Sequence, residues 1–324
     1  MNILITGAAG FIGSHLAREL AHQGHRVRGL LMPREDGQTL EASGIEIVRG
    51  DLTAPDTLAG AAEDIDIVFH LAARTIDWGT RKQFEAIMVD GTRNILQASK
   101  GHTSRFVYCS SVAAYGLDRD LAGFDEDRAT RMCGVPYCDT KIIAENLVKQ
   151  YCGANGLAYT IVRPANVFGP GSVWVKEMLD AFRRGPLPLI DKGRVPGAFV
   201  YVDNLVRGMI LAGLADIAAG RTYLFRDDYP ITWGEYLRTI GGWIGKTPRG
   251  NLSFRMAWTL GAVCEALLTP LGIRPPLTRL SVGVMGKDLS VDAGRARREL
   301  GWKSRISQDQ AMQRIKEWVE SDYL

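Results

Sequence analysis

Short apolar, β-branched runs alternate along the first part of the chain with segments whose apolar positions recur at helical spacing. NILIT at residues 2–6 is followed by the helical pattern SHLARELAHQG, then by RVRGLLM, EIVRGDL, DIVFHLAA, RFVYCSS and YTIVRP. Runs of this kind, separated by helical segments, predict a doubly wound α/β architecture with a parallel sheet of buried strands. After Gly169 the rhythm changes to loops rich in Pro and Gly, GPGSV and RRGPLPLIDKG, before strand patterns return at GAFVYV (197–202) and TYLF (222–225). Those returns predict two interleaved domains rather than two successive ones. From Ile231 onward the pattern is mostly helical, including SVDAGRARRELG and QDQAMQRIKEWVESD, and no internal repeat occurs.

The first strand runs directly into TGAAGFIGSHLA, with glycines at Gly7, Gly10 and Gly13. Gly7 permits the tight turn, Gly10 lets the backbone approach a pyrophosphate, Gly13 lets the helix pack on the strand, and helix-terminal N–H groups face the anion. The loop from Gly7 through Ala9, Gly10, Phe11 and Ile12 to Gly13 is therefore a dinucleotide-binding candidate. Residues 1–168 plus 196–228 are expected to form the dinucleotide-binding domain, and 169–195 plus 229–324 the substrate domain. An acid at the end of the second strand would bond a ribose 2′-OH and repel a 2′-phosphate. Here Leu31 and Met32 hold that place and Arg34 follows, which tilts the expectation slightly toward NADP(H) over NAD(H). Asp51 and Leu52 are expected at the adenine end, and Leu71, Ala72 and Ala73 of HLAA beside the cofactor.

Composition narrows the partners. A formal charge of +3 over 324 residues argues for neither nucleic acid nor an anionic membrane surface. The five cysteines, at 109, 133, 138, 152 and 264, form no CxxC pair, and the histidines at 15, 22, 25, 70 and 102 show no ligand spacing, so neither disulfides nor a metal is expected. The chain opens MNILITGAAGF with no basic leader or apolar signal segment, so a reducing cytoplasm is the expected location. The longest apolar stretch, from Met256, is broken by Glu265 and Pro270, short of the ~20 residues of a membrane span.

YCDTK places Tyr137 and Lys141 four apart on one helix face. Moving hydride to or from carbon requires a proton at oxygen, and a phenol shuttles that proton once a neighbouring cation lowers its pKa, the role expected of Lys141. Ser111, in CSSVAAYG, is the expected hydrogen-bond donor to the substrate oxygen.

TGAAGFIG (6–13), SSVAAYG (110–116), YCDTK (137–141) and RPANVFGPG (163–171) together resemble the extended short-chain dehydrogenase/reductase family, and FVYVDNLVRGM and the tail SVDAGRARRELGW carry the likeness nearly end to end. The resemblance implies a Rossmann-type sheet with a smaller, mostly helical C-terminal substrate domain. It makes Tyr137 the acid/base, Lys141 its partner and the holder of the nicotinamide ribose, and Ser111 the polarising hydroxyl, and it puts Pro164 and Val167 near the nicotinamide. It also implies a homodimer built on the TRNILQAS and KIIAENLVKQY helices. One departure is Met88, where the family usually has an asparagine in a proton relay.

Within the family, dehydratases carry an acidic pair where this chain has Val112 and Ala113, which argues against elimination. Nucleotide-sugar epimerases place a diphosphate-binding arginine where this chain has Gly197, with Arg194 three residues earlier. The region from Ser253 to Trp302 resembles the 3β-hydroxysteroid dehydrogenase branch. Transfer of hydride at a secondary alcohol or ketone of a largely apolar substrate is thus the leading expectation. A nucleotide-sugar 4-epimerase or reductase is the alternative, and a non-catalytic dinucleotide sensor the alternative of another class. Trp258, Leu260, Val263, Leu267 and Leu268 form a stripe at helical spacing, which periodicity alone assigns to a core helix before a cover for apolar substrate or a peripheral membrane contact. Trp174 suits either the substrate site or the core.

Overall fold

Residues 1–323 are described by a computed structural model, and each apolar run becomes a strand where its flanking turn residues release it. The strands are β1 (Asn2–Thr6), β2 (Arg26–Leu31), β3 (Glu46–Arg49), β4 (Ile67–His70), β5 (Arg105–Cys109), β6 (Ala158–Pro164), β7 (Asn166–Phe168), β8 (Leu189–Ile190), β9 (Phe199–Tyr201), β10 (Arg221–Phe225) and β11 (Asn251–Leu252). The helices are α1 (Phe11–His22), α2 (Gln38–Glu41), α3 (Arg81–Glu85), α4 (Gly91–Ala98), α5 (Pro136–Asn155), α6 (Val173–Arg184), α7 (Val202–Leu214), α8 (Trp233–Trp243), α9 (Phe254–Leu268), α10 (Arg279–Gly286), α11 (Gly294–Leu300) and α12 (Gln308–Trp318).

Seven strands form one parallel sheet in the order β10-β6-β5-β4-β1-β2-β3. The chain winds outward from β1 through β2 and β3, then returns to place β4 on the other side of β1. That reversal opens a crevice at the carboxyl ends of β1 and β4, where open α/β sheets bind ligands. Both sheet faces are covered, as parallel strands require. On one face, Ile3, Ile5 and Phe69 pack with Leu16 and Leu20 of α1 and with Leu205 and Met209 of α7; on the other, Leu4, Val68 and Phe106 pack with Ile95 of α4 and Val148 of α5.

Two small parallel sheets, β7 with β9 and β8 with β11, carry the segments beyond Gly169. The β7–β9 pairing stacks Phe168 on Phe199 at 4.7 Å, and Tyr236 closes on Phe199 at 4.8 Å. Trp174 packs edge-on to Trp233 at 5.4 Å, which places it in this aromatic cluster. The tail is fastened to α7 by the buried Asn204, whose Oδ1 accepts the N–H groups of Arg305 and Ile306, while the Trp302 indole donates to the Asn204 carbonyl.

A buried ion pair joins α5 to β6. Arg163, 2% exposed, donates to both carboxylate oxygens of Glu145, 1% exposed, at 2.8 and 2.6 Å. The Ser110 hydroxyl donates to the same carboxylate at 2.5 Å, and Arg163 also donates to the Tyr115 hydroxyl at 2.8 Å. Each remaining polar atom thus has a partner, the condition under which such a pair is tolerated in a core.

The stripe on α9 departs from its expected place in the core. Only Ala257 and Gly261 of that helix are buried, while Met256, Leu260, Val263 and Leu267 are exposed, Leu267 by 65%. Trp258 is half-buried and stacks on Phe254 at 5.5 Å. Periodicity reports that a helix has an apolar side but not whether anything covers it. No described helix is long and apolar enough to cross a membrane.

Removing one member of the buried pair strands the other's charge. Arg163→Met is expected to lower unfolding free energy by about 3–5 kcal/mol, measured by urea denaturation, and adding Glu145→Leu in the same chain is expected to recover most of that loss.

Candidate active site

The loop after β1 is fixed by contacts that only glycine allows. Gly7 has φ +70°, and a Cβ there would lie 2.9 Å from the backbone of Ala72. A Cβ on Gly13 would lie 2.1 Å from the Gly7 carbonyl oxygen. Gly10, which opens α1, offers no side-chain cap, and the first N–H of that helix bonded back along the chain is that of Ser14, to Gly10 at 2.9 Å. The N–H groups of Phe11, Ile12 and Gly13 are left for an anion at the positive end of the helix dipole, so the cradle fits a dinucleotide pyrophosphate. Ala9, Phe11 and Ile12 are half-buried around it, and Leu71, Ala72 and Ala73 run past it from the end of β4.

Those strand ends are stitched together by a buried imidazole. The Thr92 hydroxyl donates to the Met88 carbonyl at 2.7 Å, so it accepts from His70 Nε2 at 2.9 Å. His70 Nδ1 then accepts the Thr6 hydroxyl at 2.7 Å, and Thr6 Oγ1 accepts the Ala72 N–H at 3.2 Å. Burial, reinforced by the Lys141 ammonium, pushes the His70 pKa down to about 3, so the ring is neutral at physiological pH. Met88 lies in a single π-turn, residues 86–90, its sulfur 3.4 Å from the Thr140 hydroxyl, which donates to the Pro136 carbonyl at 2.7 Å. A thioether there cannot pass a proton, so the family's asparagine relay has no equivalent at this position.

After β3, Leu52 is buried and its carbonyl accepts Asn94 Nδ2 at 2.7 Å, while Asp51 accepts both the N–H and the hydroxyl of Thr53 at 2.8 Å. Arg34 is exposed beyond β2. The nearby acid, Glu35, is turned back to accept the Met32 N–H at 2.7 Å. A second cation, Arg49 at the end of β3, donates to the Met32 carbonyl at 3.1 Å and to the Glu35 carbonyl. Its place leaves no mark in the local sequence, because the end of β3 meets the end of β2 only once the two strands pair.

Tyr137 and Lys141 come together on the first turns of α5, started by Pro136 at its first position. Lys141, 3% exposed, donates to the Cys109 carbonyl at the end of β5 at 2.7 Å, and its ammonium lies 5.8 Å from the Tyr137 ring centre. Burial pushes the Lys141 pKa down, against the opposing pull of the Cys109 thiol and Glu145. Burial also pushes the Tyr137 phenol well above its ordinary value, although the Ser111 hydroxyl pulls the other way. The lowering expected of Lys141 does not appear in the chain alone, where burial dominates. Ser111 caps the 3₁₀ turn Val112–Tyr115, its oxygen accepting the Ala113 N–H at 3.1 Å, and Val112 and Ala113 are buried. Pro164 is buried at the end of β6 and Val167 half-buried on β7.

A cleft of about 250 Å³ opens beside Tyr137, between the loop after β4 and α9. Trp78, Phe84, Val135, Ala262 and Ala266 give it apolar walls. Its charged groups satisfy one another: Arg279 donates to Glu265 at 2.7 Å, and Asp77 accepts Arg274 at 3.1 Å and the Thr278 hydroxyl at 3.0 Å. The residues of α9 that face the cleft are thus not those of the predicted stripe. At Gly197, where an epimerase arginine would stand, a Cβ would lie 2.1 Å from the Phe199 ring, so no side chain fits without displacing the aromatic cluster.

Residues 3–224 match the NAD dependent epimerase/dehydratase family. A 2-alkyl-3-oxoalkanoate reductase of Stenotrophomonas maltophilia is 32% identical over 98% of both chains. A 3 beta-hydroxysteroid dehydrogenase/Delta 5-->4-isomerase of Mycobacterium tuberculosis is 28% identical over 96% of this chain and 88% of its own. The crystal structure of gox2253 superposes with a TM-score of 0.78 at 29% identity, covering 98% of this chain and 97% of the other. The chain belongs to the NAD dependent epimerase/dehydratase family. It is an oxidoreductase that uses a nicotinamide dinucleotide on a small-molecule substrate.

Two measurements probe this site. Gly13→Val is expected to weaken NADPH and NADH binding by about tenfold or more, because the side chain collides with the loop backbone; nucleotide fluorescence titration reads it. The His70 pKa falls from 6.5 unfolded to about 3 folded, so between those values the unfolded chain holds a proton the folded chain refuses. Stability is thus expected to fall as pH is lowered through that window, and the slope to flatten in His70→Asn, as followed by thermal unfolding.

Proposed function

We propose that the chain reduces a ketone on a largely apolar small molecule to a secondary alcohol, with NADPH preferred over NADH. The observation that carries this reading is the cleft beside Tyr137, whose walls are apolar and whose charges are already paired with one another. Such a cavity accepts an uncharged, hydrophobic body without leaving an ion unsatisfied. The names of the two relatives fit substrates of this kind, a 3-oxoalkanoate and a steroid. The collision a side chain at Gly197 would meet speaks against a nucleotide-sugar diphosphate.

A nicotinamide dinucleotide, when bound, supplies the hydride. Gly7, Ala9, Gly10, Phe11, Ile12 and Gly13 cradle its pyrophosphate, Asp51 and Leu52 flank its adenine end, Leu71, Ala72 and Ala73 border its length, and Pro164 and Val167 border the nicotinamide. Tyr137 donates the proton to the substrate oxygen, and its raised pKa keeps that proton in place at neutral pH, which suits reduction. Ser111 orients the same oxygen and stabilises the charge developing on it. Lys141, anchored on the Cys109 carbonyl, holds the ribose and supplies positive charge behind the phenol. Arg34 and Arg49, with Glu35 turned away, favour the 2′-phosphate. In this reading residues 1–168 and 196–228 hold the cofactor, 169–195 and 229–324 hold the substrate, and two copies pair through α4 and α5. The exposed side of α9 makes a peripheral membrane contact, and the protein works in the cytoplasm.

The test is cofactor consumption with NADPH and NADH against ketosteroids, 2-alkyl-3-oxoalkanoates and flavonoid ketones, with UDP-sugars as the contrast. Turnover of an apolar ketone is expected, and Tyr137→Phe is expected to lower kcat by about 10²–10⁴-fold with NADPH affinity unchanged. Turnover of sugar nucleotides alone, or a Tyr137→Phe enzyme of undiminished rate, would overturn the proposal.

A further inference from the structure

The charges that line the cleft beside Tyr137 are paired, but among the described residues a cation directly behind its wall is not. Arg74 follows Ala73, where the chain has left the end of β4, and is half-buried. Its guanidinium lies over the ring of Phe84 at 5.4 Å, and Phe84 stands edge-on to Tyr137 at 6.4 Å. Gly79 lines the same cleft without a side chain, and a Cβ on it would lie 2.9 Å from Arg74 Nη2. The guanidinium thus backs the wall at two positions, Phe84 and Gly79, and at the second nothing covers it. Its donors are nearly all unspent. Nη2 reaches the Trp78 carbonyl at 3.5 Å, long for such a bond, and this is the side chain's one hydrogen bond among the described residues. Nε is sealed from solvent with no partner. The acids of the cleft are committed elsewhere, Asp77 to Arg274 and the Thr278 hydroxyl, and Glu265 to Arg279.

We propose that Arg74 binds a carboxylate of the substrate, so that the substrate is an oxo acid: an apolar body whose ketone meets Tyr137 and whose carboxylate, a few carbons away, meets the guanidinium. This rests on the reduction at Tyr137 proposed above and gives that substrate its single charge. A guanidinium keeps its proton in any protein environment, so the positive charge persists beside the apolar wall until an anion answers it. A carboxylate matches the planar fork of Nη1 and Nη2 with two parallel hydrogen bonds, which a hydroxyl or an ester oxygen does not. The cofactor's pyrophosphate is placed elsewhere, at the start of α1, whereas Arg74 shares Phe84 with the proton donor. A carboxylate held there also orients the substrate, because its tether limits which face of the ketone turns toward Tyr137 and Ser111.

Two pairs of probes test the site. A 2-alkyl-3-oxoalkanoate and its methyl ester are compared by NADPH consumption. Dodecanoate and dodecanol, neither of them a ketone, are titrated by calorimetry into the full-length, NADPH-loaded protein, a measurement that needs no turnover. The unmodified chain is expected to favour the oxo acid over its ester in kcat/KM, and dodecanoate over dodecanol in Kd, by about 10–100-fold. Arg74→Met is expected to erase both preferences, raising KM for the oxo acid with a much smaller change in kcat, while the ester loses far less. Arg74→Lys, which keeps the charge without the fork, is expected to restore part of the preference. NADPH affinity, read by fluorescence, is expected to hold in both variants, which reports an intact fold and cradle. The proposal is overturned if the unmodified chain binds dodecanoate no better than dodecanol, if Arg74→Met weakens oxo acid and ester equally, or if its loss falls on NADPH binding instead. Dodecanoate bound through Arg74 while no ketone turns over would sustain the carboxylate site and refute the reductase reading alone.

Discussion

The placement of the chemistry rests on the buried pair between Glu145 and Arg163. Tyr137, Lys141 and Glu145 fall on successive turns of α5, and Glu145 is the point at which that helix is bolted to β6. The same carboxylate takes the Ser110 hydroxyl, and the same guanidinium takes the Tyr115 hydroxyl and lies 4.8 Å from its ring. Ser111 sits between those two anchors. One ion pair therefore sets the spacing between the phenol, the ammonium and the serine hydroxyl. Its cost of desolvation is met by completeness, since the strongly charged groups are shared among four side chains.

Burial acts on this site in two opposite ways. It keeps Tyr137 protonated and weakens the hold of Lys141 on its own proton, so the chain alone does not make an activated phenolate. It also keeps His70 neutral, which lets the ring act as a fixed donor and acceptor between Thr92 and Thr6. The strand ends that border the cofactor cradle are thus braced by groups that carry no charge of their own, and the charge that matters is concentrated at Lys141.

Much of this was legible in the chain. The strand runs, the glycine loop and the Tyr137–Lys141 spacing each follow from local rules, periodicity and one-turn geometry, and the structure places them as those rules require. The substitution of Met88 was visible as well, but not the π-turn that holds it, because a single extra residue in a turn leaves no mark on apolar periodicity. Nothing in the local sequence marks Arg163 and Glu145 as partners, since their pairing spans eighteen positions and exists only once β6 lies against α5. The exposed side of α9 and the crowding at Gly197 are equally properties of neighbours: what covers a helix, or what ring sits over a glycine, is decided elsewhere in the chain.

The fastening of the tail to Asn204 has a consequence for the order in which the molecule is completed. The helix α1, translated well before the tail, packs along α7, and α7 is in turn secured by residues 302–306. The edge strand β10 also arrives late, beyond residue 220. A chain still short of Trp302 therefore holds its glycine loop on a helix without its final support. The last brace behind the glycine loop is therefore added long after its glycines have been translated.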